Sequence, residues 1–215
     1  MSYKTIRNRT EASFTEKKSE FIGYISPVGT EEEAIGFINE IRAMHRKATH
    51  NCYAYILRNN NTGRHSDDGE PGGTAGMPIY DVLSKNGITD VVCVVTRYFG
   101  GILLGTGGLV HAYSKGASMA LANAEIVNME VADSLKISCD YTMYGIVNSV
   151  LPEFESIIRD TEFTDSVCIY TDVKSEFTES LTAKLTDRCN GKVKIEKLKS
   201  GYVESVSYTH LRAHE

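Results

Sequence analysis

The sequence predicts an α+β protein built as two domains. Three observations carry that reading. Strand-like and helix-like segments alternate as far as Glu130, and a second set then begins in the order βαββαβ. At 215 residues the chain is also long enough for each set to bury a core of its own. The alternation alone gives an α/β first domain, while βαββαβ is the ferredoxin-like split arrangement. The boundary falls near residues 128–133, giving domains of 1–130 and 131–204. Residues 205–215 (SVSYTHLRAHE) fit neither pattern. They read as a tail, either flexible or appended by cloning, and its two histidines are given no role.

Taken in order, residues 21–28 (FIGYISPV) read as the first strand. Thr30 and Glu33 then form a capping box, in which each side chain satisfies an otherwise unpaired backbone donor. The helix that follows carries Ala34, Phe37, Ile38, Ile41 and Met44 on one stripe, and its last turn is basic, as the helix dipole favours. Residues 52–57 (CYAYIL) are a second strand, 59–63 a turn, and the loop continues to Gly73. A short helix over 74–85 stops at Asn86-Gly87. Residues 91–96 are uniformly apolar up to Thr96, as a buried central strand is. A helix over 109–123 has Ala112, Gly116, Ala117, Ala120 and Ala124 on one side, small enough to lie close against a sheet. In the second domain, strands are expected at 135–141, 161–164, 167–173 and 193–198. Helices are expected at 144–158, interrupted by Pro152, and at 176–189.

Composition is that of an ordinary globular protein, 41% hydrophobic and 24% charged. The longest apolar runs fall far below the ~20 residues that span a bilayer, so no membrane partner is expected, and the first residues do not read as a signal peptide. Five dispersed cysteines without a CxxC pair predict reduced thiols and a cytoplasmic location. A net charge of −5 argues against binding nucleic acid over the whole surface. The first domain is nevertheless near charge balance, which leaves room for a local basic patch.

Candidate chemistry concentrates between His65 and Gly108. Gly100, Gly101, Gly105, Gly107 and Gly108 follow a strand and open a helix. Unpaired N–H groups at a helix start attract anions, although glycines in such a run equally serve tight turns and close packing. No Walker pattern and no clean G-x-G-x-x-G is present. Arg97, at the end of the strand, has a planar fork suited to phosphate; the alternative is a local carboxylate partner. Tyr98 and Phe99 could stack on a base, with one of the two rings expected to be buried. Ser66, Asp67, Asp68, Glu70 and Thr74 form an acidic loop. Its carboxylates could hold Mg²⁺ or move protons, but the residue types alone favour a turn in which Asp67 or Asp68 caps local N–H groups. His50, Cys52, His65 and His111 do not complete a zinc set. His111, Ser114 and Lys115 share a helix face without an acid partner, so no hydrolase triad is read.

Three segments, KATHNCYAY (47–55), SDDGEPGGTAGMPI (66–79) and VVTRYFGGILLGTGGLVHAY (94–113), together resemble the IMPACT family, in particular its bacterial YigZ/YvyE-type members. The resemblance covers about residues 17–130. It implies a first domain with the βαβ-type fold of ribosomal proteins, GHMP kinases and domain IV of elongation factor G. It also implies a second domain like the ferredoxin-like domains of that factor, and it draws the acidic loop into the working surface. Eukaryotic members regulate translation by binding a partner of a stress-responsive kinase; their second domain is a different one, so that partner is not carried over.

The resulting expectation is a translation-associated regulatory protein that binds RNA, the ribosome or a translation factor. Its nucleic-acid or phosphate site would comprise Arg97, Tyr98, the five glycines, His111 and Lys115. Lys17, Lys18, Arg46, Lys47, Arg58 and Arg64 would extend a basic margin. The alternative is an enzyme or sensor for a small phosphorylated ligand. No cofactor or metal is expected, and the residues weigh toward a binding protein rather than an enzyme.

Overall fold

A computed structural model describes residues 2–59 and 62–205. In chain order the elements are β1 (Tyr3–Ile6), β2 (Thr10–Glu16), β3 (Ser19–Pro27), α1 (Glu31–Met44), β4 (His50–Leu57), β5 (Thr62–Ser66), α2 (Gly76–Lys85), β6 (Val91–Tyr98), α3 (Thr106–Ala122) and β7 (Ile126–Cys139). There follow α4 (Tyr141–Val150), β8 (Ile157–Phe163), β9 (Val167–Lys174), α5 (Thr178–Arg188) and β10 (Val193–Glu204). The chain divides between Asn128 and Met129, with Ser2 belonging to the second unit. No helix among the described residues is long and apolar enough to cross a membrane.

In the first unit the sheet order is β2-β3-β6-β4-β5, and all neighbours are antiparallel. β3 and β4 therefore run parallel, joined by α1 and separated by β6. The expected βαβ unit is present in split form, because alternation of element types reveals the crossover but not the later strand that inserts into it. β6 is apolar from Val91 to Val95 because both its faces are covered there. Val92 and Val94 meet Phe37, Ile38 and Ile41 of α1. Cys93 and Val95 lie in the cluster built with Ile79 and Leu83 of α2 and Ala112, Ala117 and Ala120 of α3.

Local signals account for most of these elements. The Thr30 hydroxyl accepts from the Glu33 N–H at 3.2 Å, and the Glu33 carboxylate accepts from Gly29 N–H at 2.7 Å, so the capping box closes one residue further back than its usual form. The small stripe on α3 permits close contact with the sheet: a Cβ on Gly23 would lie 2.3 Å from the Gly116 carbonyl oxygen. β1, β2 and β5 were not expected from the sequence, and the strand at 21–28 is the third, not the first. β2 and β5 are edge strands, and the exposed residues of β5 (Gly63, Arg64, His65) carry no apolar alternation to reveal them. The turn expected at 59–63 lies partly on residues 60 and 61, outside the described residues, and its last two positions belong to β5. α3 starts at Thr106 rather than 109, because Gly107 and Gly108 are poor helix formers that mask its first turn.

The second unit has the strand order β10-β7-β9-β8, every pair antiparallel. This is the ferredoxin-like order predicted by βαββαβ. Leu135, Ile137, Val147, Val150, Leu181 and Leu185 form its core with Ile169. The first helix ends at Val150 instead of 158, and a 3-10 turn over Leu151–Phe154 carries Pro152. Asp133 is buried among four donors, Ser175, Thr178 and Ser200 at 2.7 Å and Lys197 at 2.8 Å. Burial pushes its carboxyl upward, but the Lys197 ammonium and the three hydroxyls outweigh it and hold the group far below the usual carboxylate range. Of the tail, residues 206–215 lie outside the described residues.

Candidate functional site

Alternation along β6 decides what the glycine-rich segment can assemble. Cys93, Val95 and Arg97 point toward α2 and α3, and Val94 and Tyr98 point toward α1. Arg97 is only 5% exposed. Its Nη1 donates to Glu70 Oε1 at 2.6 Å and its Nη2 to Ser19 Oγ at 3.4 Å, while its buried Nε has no hydrogen-bond partner among the described residues. Its guanidinium carbon lies 5.5 Å from the Phe21 ring centroid and 5.4 Å from that of Phe99. The local carboxylate partner weighed from the sequence is therefore present, and it is Glu70.

Glu70 Oε1 also accepts from the Tyr113 hydroxyl at 2.8 Å. Burial pushes the Tyr113 phenol well above its ordinary value, with Cys52 and Glu70 adding to the effect, so it remains a donor. His50 completes the group. Its Nδ1 bonds the Asp68 carbonyl at 2.8 Å; a carbonyl only accepts, so that nitrogen carries the proton. Nε2 is left 3.9 Å from Glu70 Oε1, beyond hydrogen-bond range.

The rest of the acidic loop is spent on its own architecture. Asp67 accepts from the N–H groups of Gly73, Ala75 and Gly76 at 2.8–2.9 Å, which caps α2. Burial raises its pKa, but these three donors prevail and the net shift is downward. Asp68 accepts from Arg42 and from the Asn51 N–H, each at 2.7 Å, and Ser66 Oγ accepts from the Asp68 N–H at 3.2 Å. The Thr74 hydroxyl donates to the Pro71 carbonyl at 2.6 Å. Only Glu70 of the five faces the pocket floor. Among the described residues no three His, Cys, Asp or Glu side chains are grouped to hold a metal.

Above the Arg97–Glu70 pair lies a cleft of about 430 Å³. Phe99, Leu103, Leu104 and Leu109 form apolar walls, and Gly105 and Thr106 bring the start of α3 to its edge. Phe99 is 46% exposed and Leu103 82%, so the loop following β6 presents apolar side chains to solvent. Gly105 caps α3 with φ +77° and no side-chain acceptor. Gly101, with φ +82°, turns the loop. Gly100 has a packing role: a Cβ there would lie 2.0 Å from the Lys18 backbone, and its N–H donates to Ser19 Oγ at 3.1 Å.

Of the nine residues expected to bind nucleic acid or phosphate, only Arg97 and Gly105 line the cleft; Gly100, Gly101, Gly107 and Gly108 turn or pack the chain beside it, and Tyr98, His111 and Lys115 lie elsewhere. Tyr98 is on the opposite sheet face, where its hydroxyl meets His45 Nδ1 at 2.9 Å. His111 and Lys115 are exposed on α3, away from the cleft lining, and Lys115 covers the Phe14 ring at 4.4 Å. The basic margin also narrows. Arg58 pairs with Asp90 and Arg64 with Glu31. Lys17, Lys18, Arg46 and Lys47 remain exposed and form no ion pair among the described residues. Lys17 and Lys18 form the tip of the β2–β3 hairpin at φ +44° and +62°, and that tip packs on Gly100. Arg46 and Lys47 precede Thr49, whose N–H donates to the Arg97 carbonyl at 2.8 Å and whose Oγ1 accepts from the Phe99 N–H at 3.0 Å. The four cations thus flank the exposed loop on both sides. Sequence reading missed Ser19, Thr49, Tyr113 and the leucines of this site. Two adjacent leucines inside a glycine run were the available signal.

The pattern of the Impact N-terminal domain matches residues 17–121, which include every cleft residue, and that of a domain of unknown function, DUF1949, matches residues 137–192. The chain is similar to IMPACT family member YvyE of Bacillus subtilis, with 37% identity over 215 residues covering 100% of this chain and 99% of that protein. It is 32% identical to IMPACT family member YigZ of Escherichia coli over 182 residues, 83% of this chain and 89% of that one. A crystal structure described as that of a hypothetical protein superposes with a TM-score of 0.61 at 29% identity, covering 92% of this chain and 98% of the other.

Proposed function

This chain belongs to the IMPACT family, and from that membership we propose that it is a translation-associated regulatory protein of the cytoplasm, engaging RNA, free or within the ribosome, through the loop after β6. The observation that carries this reading is the two cation sets, Lys17/Lys18 and Arg46/Lys47, unpaired among the described residues, either side of an exposed apolar loop and a helix start with no side-chain cap. The hairpin tip adds support. Two adjacent non-glycine residues in the left-handed region are unfavourable, a cost of the kind that persists where side chains are needed at a functional surface. The dispersed free cysteines suit a reducing compartment.

Four phosphate contacts to a single strand would give a salt slope of about −2.8, a roughly fiftyfold loss of affinity between about 50 and 200 mM salt. Fluorescence anisotropy with a labelled single-stranded RNA measures this directly. Replacing Lys17, Lys18, Arg46 and Lys47 together by Ala should abolish most of the binding and flatten the salt dependence. Failure of the wild-type protein to bind RNA or ribosomes at low salt would sink the proposal. Ribosome binding unaffected by the four substitutions would point instead to a protein contact.

A further inference from the structure

We infer that the cleft above the Arg97–Glu70 pair takes one unpaired base of a single-stranded RNA segment. The inference rests on the reading that the rim meets RNA, and it names what enters the site. A volume of about 430 Å³ suits a base with its sugar and is too small for a base pair with its two backbones; it lies in the ordinary range of small-molecule pockets. The walls have the chemistry of a stacking site. Phe99 exposes 46% of its surface, and the Arg97 guanidinium 5.4 Å from its centroid holds the ring in place. Leu103, Leu104 and Leu109 supply the remaining apolar contact.

The floor has polar groups suited to a base edge. Arg97 lines the floor but is only 5% exposed, and its Nε, closed off from solvent, has no hydrogen-bond partner among the described residues, so the guanidinium offers the slot its positive charge rather than a free donor. Among the described residues Glu70 Oε2 takes no hydrogen bond, since both of the donors to Glu70 go to Oε1. His50 Nε2 is likewise without a hydrogen bond at 3.9 Å from Glu70. A carboxylate oxygen and an imidazole nitrogen, beside a buried guanidinium, therefore stand together at one end of an apolar slot. At its mouth the first N–H groups of α3, from Thr106 on, have no acceptor within the helix and face where the phosphate of an inserted nucleotide would lie. Adjacent phosphates would reach the two cation pairs. Duplexes cannot present a base in this way, whereas single strands splay bases out onto aromatic side chains.

The test compares three ligands of the full chain by anisotropy and competition. These are a labelled single-stranded RNA decamer, an abasic ribose-phosphate decamer of equal charge, and free mononucleotides. The wild-type protein should prefer the base-bearing chain about tenfold over the abasic one, with mononucleotides far weaker than either. Phe99→Ala should remove that preference, a loss of about tenfold as expected for one stacked base, without changing the salt slope. Leu103→Ser, at a position 82% exposed and so neutral to folding, should weaken the preference in the same direction. Equal affinity for base-bearing and abasic chains, or a preference that survives Phe99→Ala, overturns the base pocket while the charge-based reading stands. Mononucleotides binding as tightly as the decamer also overturn it. Loss of all binding at low salt overturns both.

Discussion

Removing either partner of the Arg97–Glu70 pair should destabilise the first unit far more than removing both. The side chains are 6% and 4% exposed and meet at 2.6 Å, so each charge depends on the other for compensation. Glu70→Gln leaves a buried guanidinium facing a neutral amide, and Arg97→Met leaves a buried carboxylate with only Tyr113 to stabilise it. Each should cost about 3–5 kcal/mol. The double variant Arg97→Met/Glu70→Gln carries no buried charge, and the amide oxygen it introduces can still accept from the Tyr113 hydroxyl. Its cost should therefore fall to about 1–2 kcal/mol, mostly lost packing and one weakened hydrogen bond. The coupling would then be at least about 4 kcal/mol, well outside the ~0.5 kcal/mol within which independent sites add. Hydrogen exchange of peptides from residues 3–128, followed against urea, reads this unit alone. With a urea slope of about 1.5–2 kcal/mol per molar, each single variant should lower its midpoint by roughly 2 M. Single variants costing under about 1 kcal/mol, or a double variant equal to their sum, would refute the account of the pair as a mutually dependent buried unit.

Three further outcomes follow from the same geometry. Gly100→Ala should destabilise by about 2 kcal/mol or more, because its Cβ would meet the Lys18 backbone at 2.0 Å, whereas Gly107→Ala, with open space at its Cβ, should be neutral or stabilising by about 0.5 kcal/mol; equal melting temperatures would contradict this. Replacing Lys17-Lys18 by Asn-Gly should stabilise the hairpin by about 1 kcal/mol and weaken RNA binding at the same time, so a variant that gains in both stability and affinity would separate the tip from the site. The pKa of Asp67 is depressed in the folded state, so its contribution is complete above the unfolded value of about 4 and is lost as pH falls through the lower folded value. Asp67→Asn should accordingly cost about 1–2 kcal/mol at neutral pH and progressively less below about pH 4; a gap that does not narrow in acid would rule the mechanism out.

The sequence by itself determined the two-domain α+β architecture and much of its detail. Helical spacing located α1, the Thr30/Glu33 box marked its start, and the small residues from Ala112 to Ala120 announced a helix pressed close to a sheet. The order βαββαβ implied the ferredoxin-like sheet, since few topologies can bury those elements on one face. These properties are local or periodic, and a chain read in order displays them. The composition of the cleft was decided only by tertiary structure. Arg97 and Tyr98 are neighbours in sequence and lie on opposite faces of β6, because side chains alternate along a strand. Arg97 finds Glu70 across 27 residues and Tyr113 reaches the same carboxylate across 43. Six candidate cations became four once Arg58 and Arg64 met Asp90 and Glu31. No spacing rule records which acid a buried arginine will meet, because that partner is set by the path of the β5–α2 loop over the sheet. That path is held by Asp67, which caps the N–H groups of Gly73, Ala75 and Gly76, and by Asp68, which ties the loop to Arg42 and Asn51; the residue types had favoured a turn in which one or other of the two caps local N–H groups.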